Sequence, residues 1–314
     1  MIDRICDLHC DTLYEALKNK DSIIDRSGHL SLEKLSCFNN FIQVMAMWSD
    51  KKLKPDEAFC AYSDGAVKLN YELAKAQSKD LRIKKALCGK DIISNENNGY
   101  SSVVFAVEGG ALLADDISRV KKLWLDGVRL LTLVWAGVNS VGGAHGTEVG
   151  LTDFGKDVVN ECFDLGIIPD VSHASDKMIE DVLDIAVKRS KPIVATHSNS
   201  RSVFTHARNL TDDYYKEIAK LGGVVGISMA PQHLCKTDAC IVDVISHLEH
   251  YAAIDSSAVC LGCDFDGVET LPKEISGVND LSKLYDAIVD TPTISAYADK
   301  IMYTNARNFL VENL

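Results

Sequence analysis

Eight short, continuous apolar runs recur along the 314-residue chain, at residues 5–8, 41–47, 103–107, 129–133, 167–171, 193–196, 224–228 and 259–263. Continuous rather than alternating apolar character fits strands buried on both faces, and hence a parallel sheet. Five of the runs stop at a residue that can bind a metal ion or move a proton: His9-Cys10-Asp11, Glu108, His173, His197 and Asp264. The rim at the C-terminal strand ends is where a (β/α)8 barrel gathers its chemistry from distant parts of a sequence.

The segments between the runs carry helical spacing, with acids in the first turns of 56–76, 115–126, 153–165, 175–187 and 211–221, the last two opening on Ser175 and Thr211 as caps. Gly127, Gly166, Lys191-Pro192 and Gly222-Gly223 fall where helices hand back to strands. No Pro-rich, Gly/Ser-rich or single-sign charged linker interrupts this beat. The expectation is an α/β fold of the (β/α)8 TIM-barrel type, metal-dependent hydrolase in kind. It occupies 1–314 as a single domain, with a C-terminal helical segment, about 280–314, closing the outer layer. A doubly wound open sheet is the alternative, but it concentrates function at a switch point, whereas here polar residues follow the first, third, fifth, sixth and eighth runs.

The apolar fraction of 46% and charged fraction of 25% are ordinary for a folded chain. A formal charge of -12 disfavours nucleic acid and anionic membranes as partners, and neither a P-loop nor a basic stripe appears. No apolar run reaches the roughly 18–20 residues that cross a bilayer, and no secretory signal is visible, so a cytoplasmic protein with reduced thiols is expected. The Cys260-x-x-Cys263 pair sits inside an apolar run without a second pair, which reads as buried strand thiols rather than a zinc or redox site.

Period-two geometry at the end of the first run would send His9 and Asp11 to one side and Cys10 to the other, making a two-ligand claw. Glu108 closes a wholly apolar run, where a carboxylate is costly unless paired or coordinated, and its two oxygens could bridge two ions. His173 and His197 each close a run at a switch from strand to helix, and neutral imidazoles suit zinc. Asp264 ends the eighth run, beside the first if the barrel closes. Asp266 is the weaker candidate, because Asp-Gly is an ordinary turn pair.

With His9-x-Asp11, Glu108-Gly109-Gly110, Asp170-Val171-Ser172-His173, His197-Ser198-Asn199, Arg208-Asn209-Leu210 and Asp264-Phe265-Asp266-Gly267 in this order, the chain resembles the membrane (renal) dipeptidase family of zinc metallopeptidases across nearly its whole length. The resemblance implies hydrolysis of free dipeptides, often with a D-residue on the C-terminal side, at a site of two divalent ions, zinc in kind. It implies that His9, Asp11 and a bridging Glu108 hold one ion, and Glu108, His173 and His197 the other. Arg208 would grip the substrate carboxylate and Asp264 would serve the reacting centre as proton carrier. A homodimer is suggested by the resemblance alone.

One position departs from the family's mammalian members. They carry Leu-Thr-x-x-His after the fourth strand, with the imidazole near the scissile carbonyl, but here Leu131-Thr132-Leu133-Val134-Trp135 supplies an indole that cannot titrate. His145 or Asn139 from the same loop could fill that space, so Trp135 and His145 join the candidate substrate-binding residues. Two other readings compete: an amidohydrolase-like barrel metallohydrolase acting on another amide, lactone or phosphoester, and a non-catalytic metal-dependent binder of a small molecule. Glu108 stands where a carbamylated lysine would favour the first, and the intact ligand set argues against the second.

Overall fold

The computed structural model describes residues 2–314. Its strands are β1 (Arg4–Asp7), β2 (Asn40–Trp48), β3 (Ile83–Lys85), β4 (Ser101–Glu108), β5 (Val128–Thr132), β6 (Ile168–Asp170), β7 (Val225–Ile227) and β8 (Val259–Leu261). All pairings between them are parallel, in the order β6-β5-β4-β2-β1-β8-β7, so the first strand meets the last at Asp7 and Leu261. The ring closes through residues 194–195, where Val194 bridges to Asp170 and Ala195 to Val225. Seven strands and this short stave make the eight-position (β/α)8 barrel that the apolar runs implied.

Two details differ from the sequence reading. The sixth run is only this two-residue stave, because the chain leaves the ladder at Thr196 and lays that carbonyl across its neighbours. A Cβ on Gly262 would lie 1.7 Å from the Thr196 oxygen, so only glycine permits the approach. The extra strand β3 pairs with the first residues of β4, Ile83 opposite Ser101. With one apolar residue in Ile-Lys-Lys, it offers no run to detect.

Even-numbered residues fill the barrel, among them Cys6, Leu8, Ile42, Val44, Val104, Leu130, Val194 and Cys260, in one buried cluster. Odd-numbered neighbours such as Ile5, Met45, Phe105 and Leu131 pack outward against the helices. Those helices start where the sequence placed caps: the Ser175 hydroxyl accepts from Met178 N (3.0 Å) and that of Thr211 from Tyr214 N (3.3 Å). Each such cap contributes about 1 kcal/mol.

The C-terminal segment is helical, as expected; its first part joins the outer layer through Leu281, Leu284 and Ile288, but its end does not. Tyr303, Ala306, Phe309 and Leu310 enter the interior cluster and stopper the end of the barrel opposite the strand C-termini. Arg307 fastens this plug to Glu96 in a two-pronged ion pair, Nε to Oε1 at 3.0 Å and Nη2 to Oε2 at 2.6 Å. Among the described residues, no helix is long and apolar enough to cross a membrane.

Candidate metal centre

At the rim of the strand C-termini, six polar side chains from five separate strand ends converge. Glu108, the last residue of β4, lies at the middle. Its Oε1 is 3.0 Å from His173 Nε2, 3.2 Å from His197 Nε2 and 3.7 Å from His9 Nε2. The two ring nitrogens of His173 and His197 are themselves 2.9 Å apart. His9 Nε2 lies 3.4 Å from Asp11 Oδ2 and 3.8 Å from Asp264 Oδ1. Two donor groups share this space, His9, Glu108 and His197 in one and His9, Asp11 and Asp264 in the other.

The placement of each side chain has a local cause. The β1 ladder ends at Asp7 and the backbone bends at Leu8, which shifts the phase of the strand so that His9 faces the rim. Asp7 holds the bend, accepting from Cys263 N at 2.7 Å and from Gln43 Nε2 at 3.0 Å. His173 (φ 69°) and Asp264 (φ 62°) adopt the left-handed region that side chains other than glycine seldom enter. Such backbone costs on the order of 1 kcal/mol per residue and persists where surrounding contacts enforce it. Gly267 completes the pocket floor: a Cβ there would stand 2.2 Å from Asp264 Oδ1 and 2.3 Å from Asp11 Oδ2.

Beneath the histidines lies a buried carboxylate, Asp170, that touches none of the rim donors. It accepts from Thr132 Oγ1 (2.5 Å), Thr196 Oγ1 (2.6 Å), Ser172 N (2.9 Å) and Thr196 N (3.0 Å). Thr196 Oγ1 in turn contacts His197 Nδ1 at 2.8 Å, which fixes that ring's orientation. Supports of this kind commonly orient ligating imidazoles.

The electrostatics are those of a centre made for cations. Burial, with the charge of Asp11 beside it, pushes Glu108 well above the usual carboxylate range, and burial pushes Asp264 up to about 7. Burial opposes protonation of His9, but the carboxylates of Glu108, Asp11 and Asp264 outweigh it and raise this imidazole to about 10. Burial, reinforced by Arg208, holds His173 and His197 well below the ordinary histidine value, so both keep a free lone pair. His9 Nε2 and Asp11 Oδ1 are buried without a hydrogen-bond partner. Orphaned buried donors and acceptors are costly, and a bound ion satisfies both. This imidazole and carboxylate set fits divalent ions of the zinc type.

The remaining sequence candidates separate into near and supporting groups. Arg208 is buried behind the histidines, with Nη1 donating to Ser198 Oγ (2.8 Å), Nη2 to the His197 carbonyl (2.7 Å) and Nε lacking a partner. Asn139 does not take the place left by Trp135: its side chain is spent inside its own loop, on Val141 N, Gly142 N and the Leu133 carbonyl. His145 does face the pocket, its ring 5.8 Å from that of His173. Asp266 lies in a turn, as read, and its side chain is also an anchor. It accepts from His29 N (2.7 Å) and Thr12 Oγ1 (2.6 Å) and pairs with Arg26 Nη1 at 2.6 Å.

The pocket over this floor has a volume of about 360 Å³. One wall is aromatic. Trp135 lies 6.0 Å from His173 and 4.7 Å from Trp48, and Trp48 lies 5.0 Å from Tyr14. His145 and His233 stand elsewhere on the lining. The sequence reading missed Tyr14, Trp48 and His233. The signal for Trp48 was its position directly after the second apolar run.

A model of the membrane dipeptidase family (peptidase family M19) matches residues 2–310. An uncharacterised dipeptidase of Schizosaccharomyces pombe is 32% identical over 199 residues, which is 60% of this chain and 47%, about half, of that protein's length. Dipeptidase AC, a metallopeptidase of family M19 with a known crystal structure, superposes with a TM-score of 0.90 at 25% identity, covering 100% of this chain and 99% of the other. A Rhodobacter sphaeroides metallopeptidase, solved with a phosphinate mimic of the dipeptide L-Ala-D-Ala, gives a TM-score of 0.89 at 24% identity over the full length of both chains. The convergent rim, the closed barrel and a family match across almost every residue agree: the chain belongs to the membrane dipeptidase family, peptidase family M19.

Proposed function

We propose that this protein is a metal-dependent dipeptidase that hydrolyses the peptide bond of free dipeptides, including those with a C-terminal D-residue. The observation that carries the reading is the meeting of His9, Asp11, Glu108, His173, His197 and Asp264, drawn from both ends of the chain, on the floor of one pocket. In this reading His9, Asp11 and Glu108 hold one divalent ion and Glu108, His173 and His197 a second, zinc in kind. Such ions supply Lewis-acid polarisation of a carbonyl and a water acidified toward a pKa of about 7.

The chain's own groups do the rest. Asp264, raised to about 7, is poised to take a proton from the attacking water and return it to the departing amine at neutral pH. Arg208 offers its unpartnered Nε and remaining N–H groups to the substrate's terminal carboxylate, which sets the register for a bond one residue from the chain end. The exposed thiols Cys37 and Cys60 suit a reducing compartment, in line with a cytoplasmic protein. Assembly as a homodimer and action of the whole chain as one barrel unit belong to the same reading.

The test is metal content per chain measured beside turnover of an L,L and L,D dipeptide panel, before and after chelation. Removing the ions should abolish hydrolysis and readdition should restore it; full activity after rigorous chelation sinks the proposal. For Arg208→Ala, KM toward free dipeptides should rise roughly 10- to 100-fold, the equivalent of about 1.5–3 kcal/mol for hydrogen bonds to a charged group. Dipeptide amides, which lack the carboxylate, should be affected far less. Equal losses on acid and amide would remove Arg208 from substrate recognition.

A further inference from the structure

The aromatic wall of the pocket is a feature that metal chemistry does not require. Tyr14, Trp48 and Trp135 come from three different parts of the chain, the first helix (Thr12–Lys18), the end of β2 and the loop after β5, yet they pack edge to face in one row that starts beside His173. All three are only partly buried, and all three line the pocket. A half-covered row of large rings beside the reacting centre leaves apolar area that a ligand can remove from water, at about 25 cal/mol per Å².

We propose that this row is a side-chain subsite, and that the preferred dipeptides carry a large apolar or aromatic side chain on the residue lying against it. This rests on the dipeptidase reading and narrows its substrate class. The charges around the wall decide between apolar and charged occupants. A cationic side chain would be drawn to the ring faces, but Lys51 Nζ already lies 5.3 Å over Trp135 and Lys18 Nζ 5.7 Å over Tyr14. An acidic side chain would find Lys18 already paired with Glu15 at 2.8 Å, and the carboxylate of Asp50, which accepts from Tyr14 at 3.2 Å, beside the wall. The carboxylates of Asp11, Glu108 and Asp264 on the floor repel it further. An uncharged, bulky group meets no such opposition.

The same geometry explains how the chain tolerates Trp135 where the mammalian members of the family carry histidine. The indole does not offer a titrating nitrogen to the reaction. It extends the wall to the edge of the ion site, so the residue beside the scissile bond is recognised by area rather than by a hydrogen bond.

Steady-state kinetics of the metal-loaded protein on two matched series, X-Ala and Ala-X with X as Gly, Ala, Leu, Phe, Lys and Glu, test the inference. In one series kcat/KM should rise by roughly 10- to 100-fold from Ala to Leu or Phe, the scale of discrimination an apolar pocket reaches. Lys and Glu should fall below Leu in that series. Trp48→Ala and Trp135→Ala should bring the Phe-to-Ala ratio to within about threefold of one, while Trp48→Phe and Trp135→Phe, which keep a ring and guard against misfolding, should retain most of it. Flat selectivity in both series, or a preference unmoved by the alanine variants, overturns the subsite and leaves the dipeptidase reading standing. A metal-replete sample that cleaves no member of either series overturns both.

Discussion

The Glu108→Gln protein is expected to lose metal and turnover together while its metal-free form melts at a higher temperature than the metal-free parent. Oε1 of Glu108 approaches three imidazole nitrogens within 3.7 Å, so the neutral amide removes the charge that the proposed ion site would use. Turnover should fall by roughly three orders of magnitude or more, equivalent to about 4 kcal/mol of barrier. The opposite change in stability follows from the same charge. Burial and Asp11 raise Glu108 above its ordinary value of 4.5, so without ions this acid costs the fold stability once the pH exceeds that value. The sign is that of an acid whose folded pKa is raised: no difference from the parent well below pH 4, where both are neutral, and a gain for the variant that grows as pH climbs from there. Calorimetry in chelator, paired with elemental analysis of untreated protein, reads both halves. Full metal content in the variant would remove Glu108 from the ion site.

Asp264→Asn should separate chemistry from metal retention. Asparagine tolerates the left-handed backbone that Asp264 occupies at φ 62° and keeps its shape, so the loop should stand. It cannot accept and return a proton. A loss of about 10²- to 10⁴-fold in kcat, the usual worth of a positioned general acid-base group, is expected with metal content unchanged. Asp264 also lies within ligand reach, 3.8 Å from His9 Nε2 and grouped with Asp11. Loss of an ion in this variant would therefore reassign it from proton carrier to ligand, and undiminished turnover would deny it either role.

The fold and the core of the site were legible in the sequence because both rest on short-range patterns. A strand buried on two faces must read as an apolar run, and a polar residue ending such a run has few reasons to be there. Seven of the eight runs are strands, and all five polar endings meet at one rim. What was hidden depends on geometry the one-dimensional pattern does not carry. The His9-x-Asp11 claw faces the site through a bend at Leu8 rather than through regular alternation, since Leu8 itself points into the barrel with Cys6. The final helix (Asn305–Asn313) looks like any amphipathic outer helix until Phe309 and Leu310 are seen inside the barrel mouth. The anchoring role of Asp266, beyond its place in a turn, was hidden because its partners, Arg26 and His29, lie more than 230 positions away. Asn139 and His145 were equal candidates in sequence, and only the hydrogen bonds consumed by Asn139 distinguish them.

The pairing of β1 with β8 at Asp7 and Leu261 has a consequence for the assembly of the site. In a nascent chain His9 and Asp11 leave the ribosome more than 250 residues before Asp264 and the plug. Until synthesis reaches them, the group of His9, Asp11 and Asp264 lacks a member. In the proposed reading the site would therefore be fully assembled only once β8 has closed the barrel against β1.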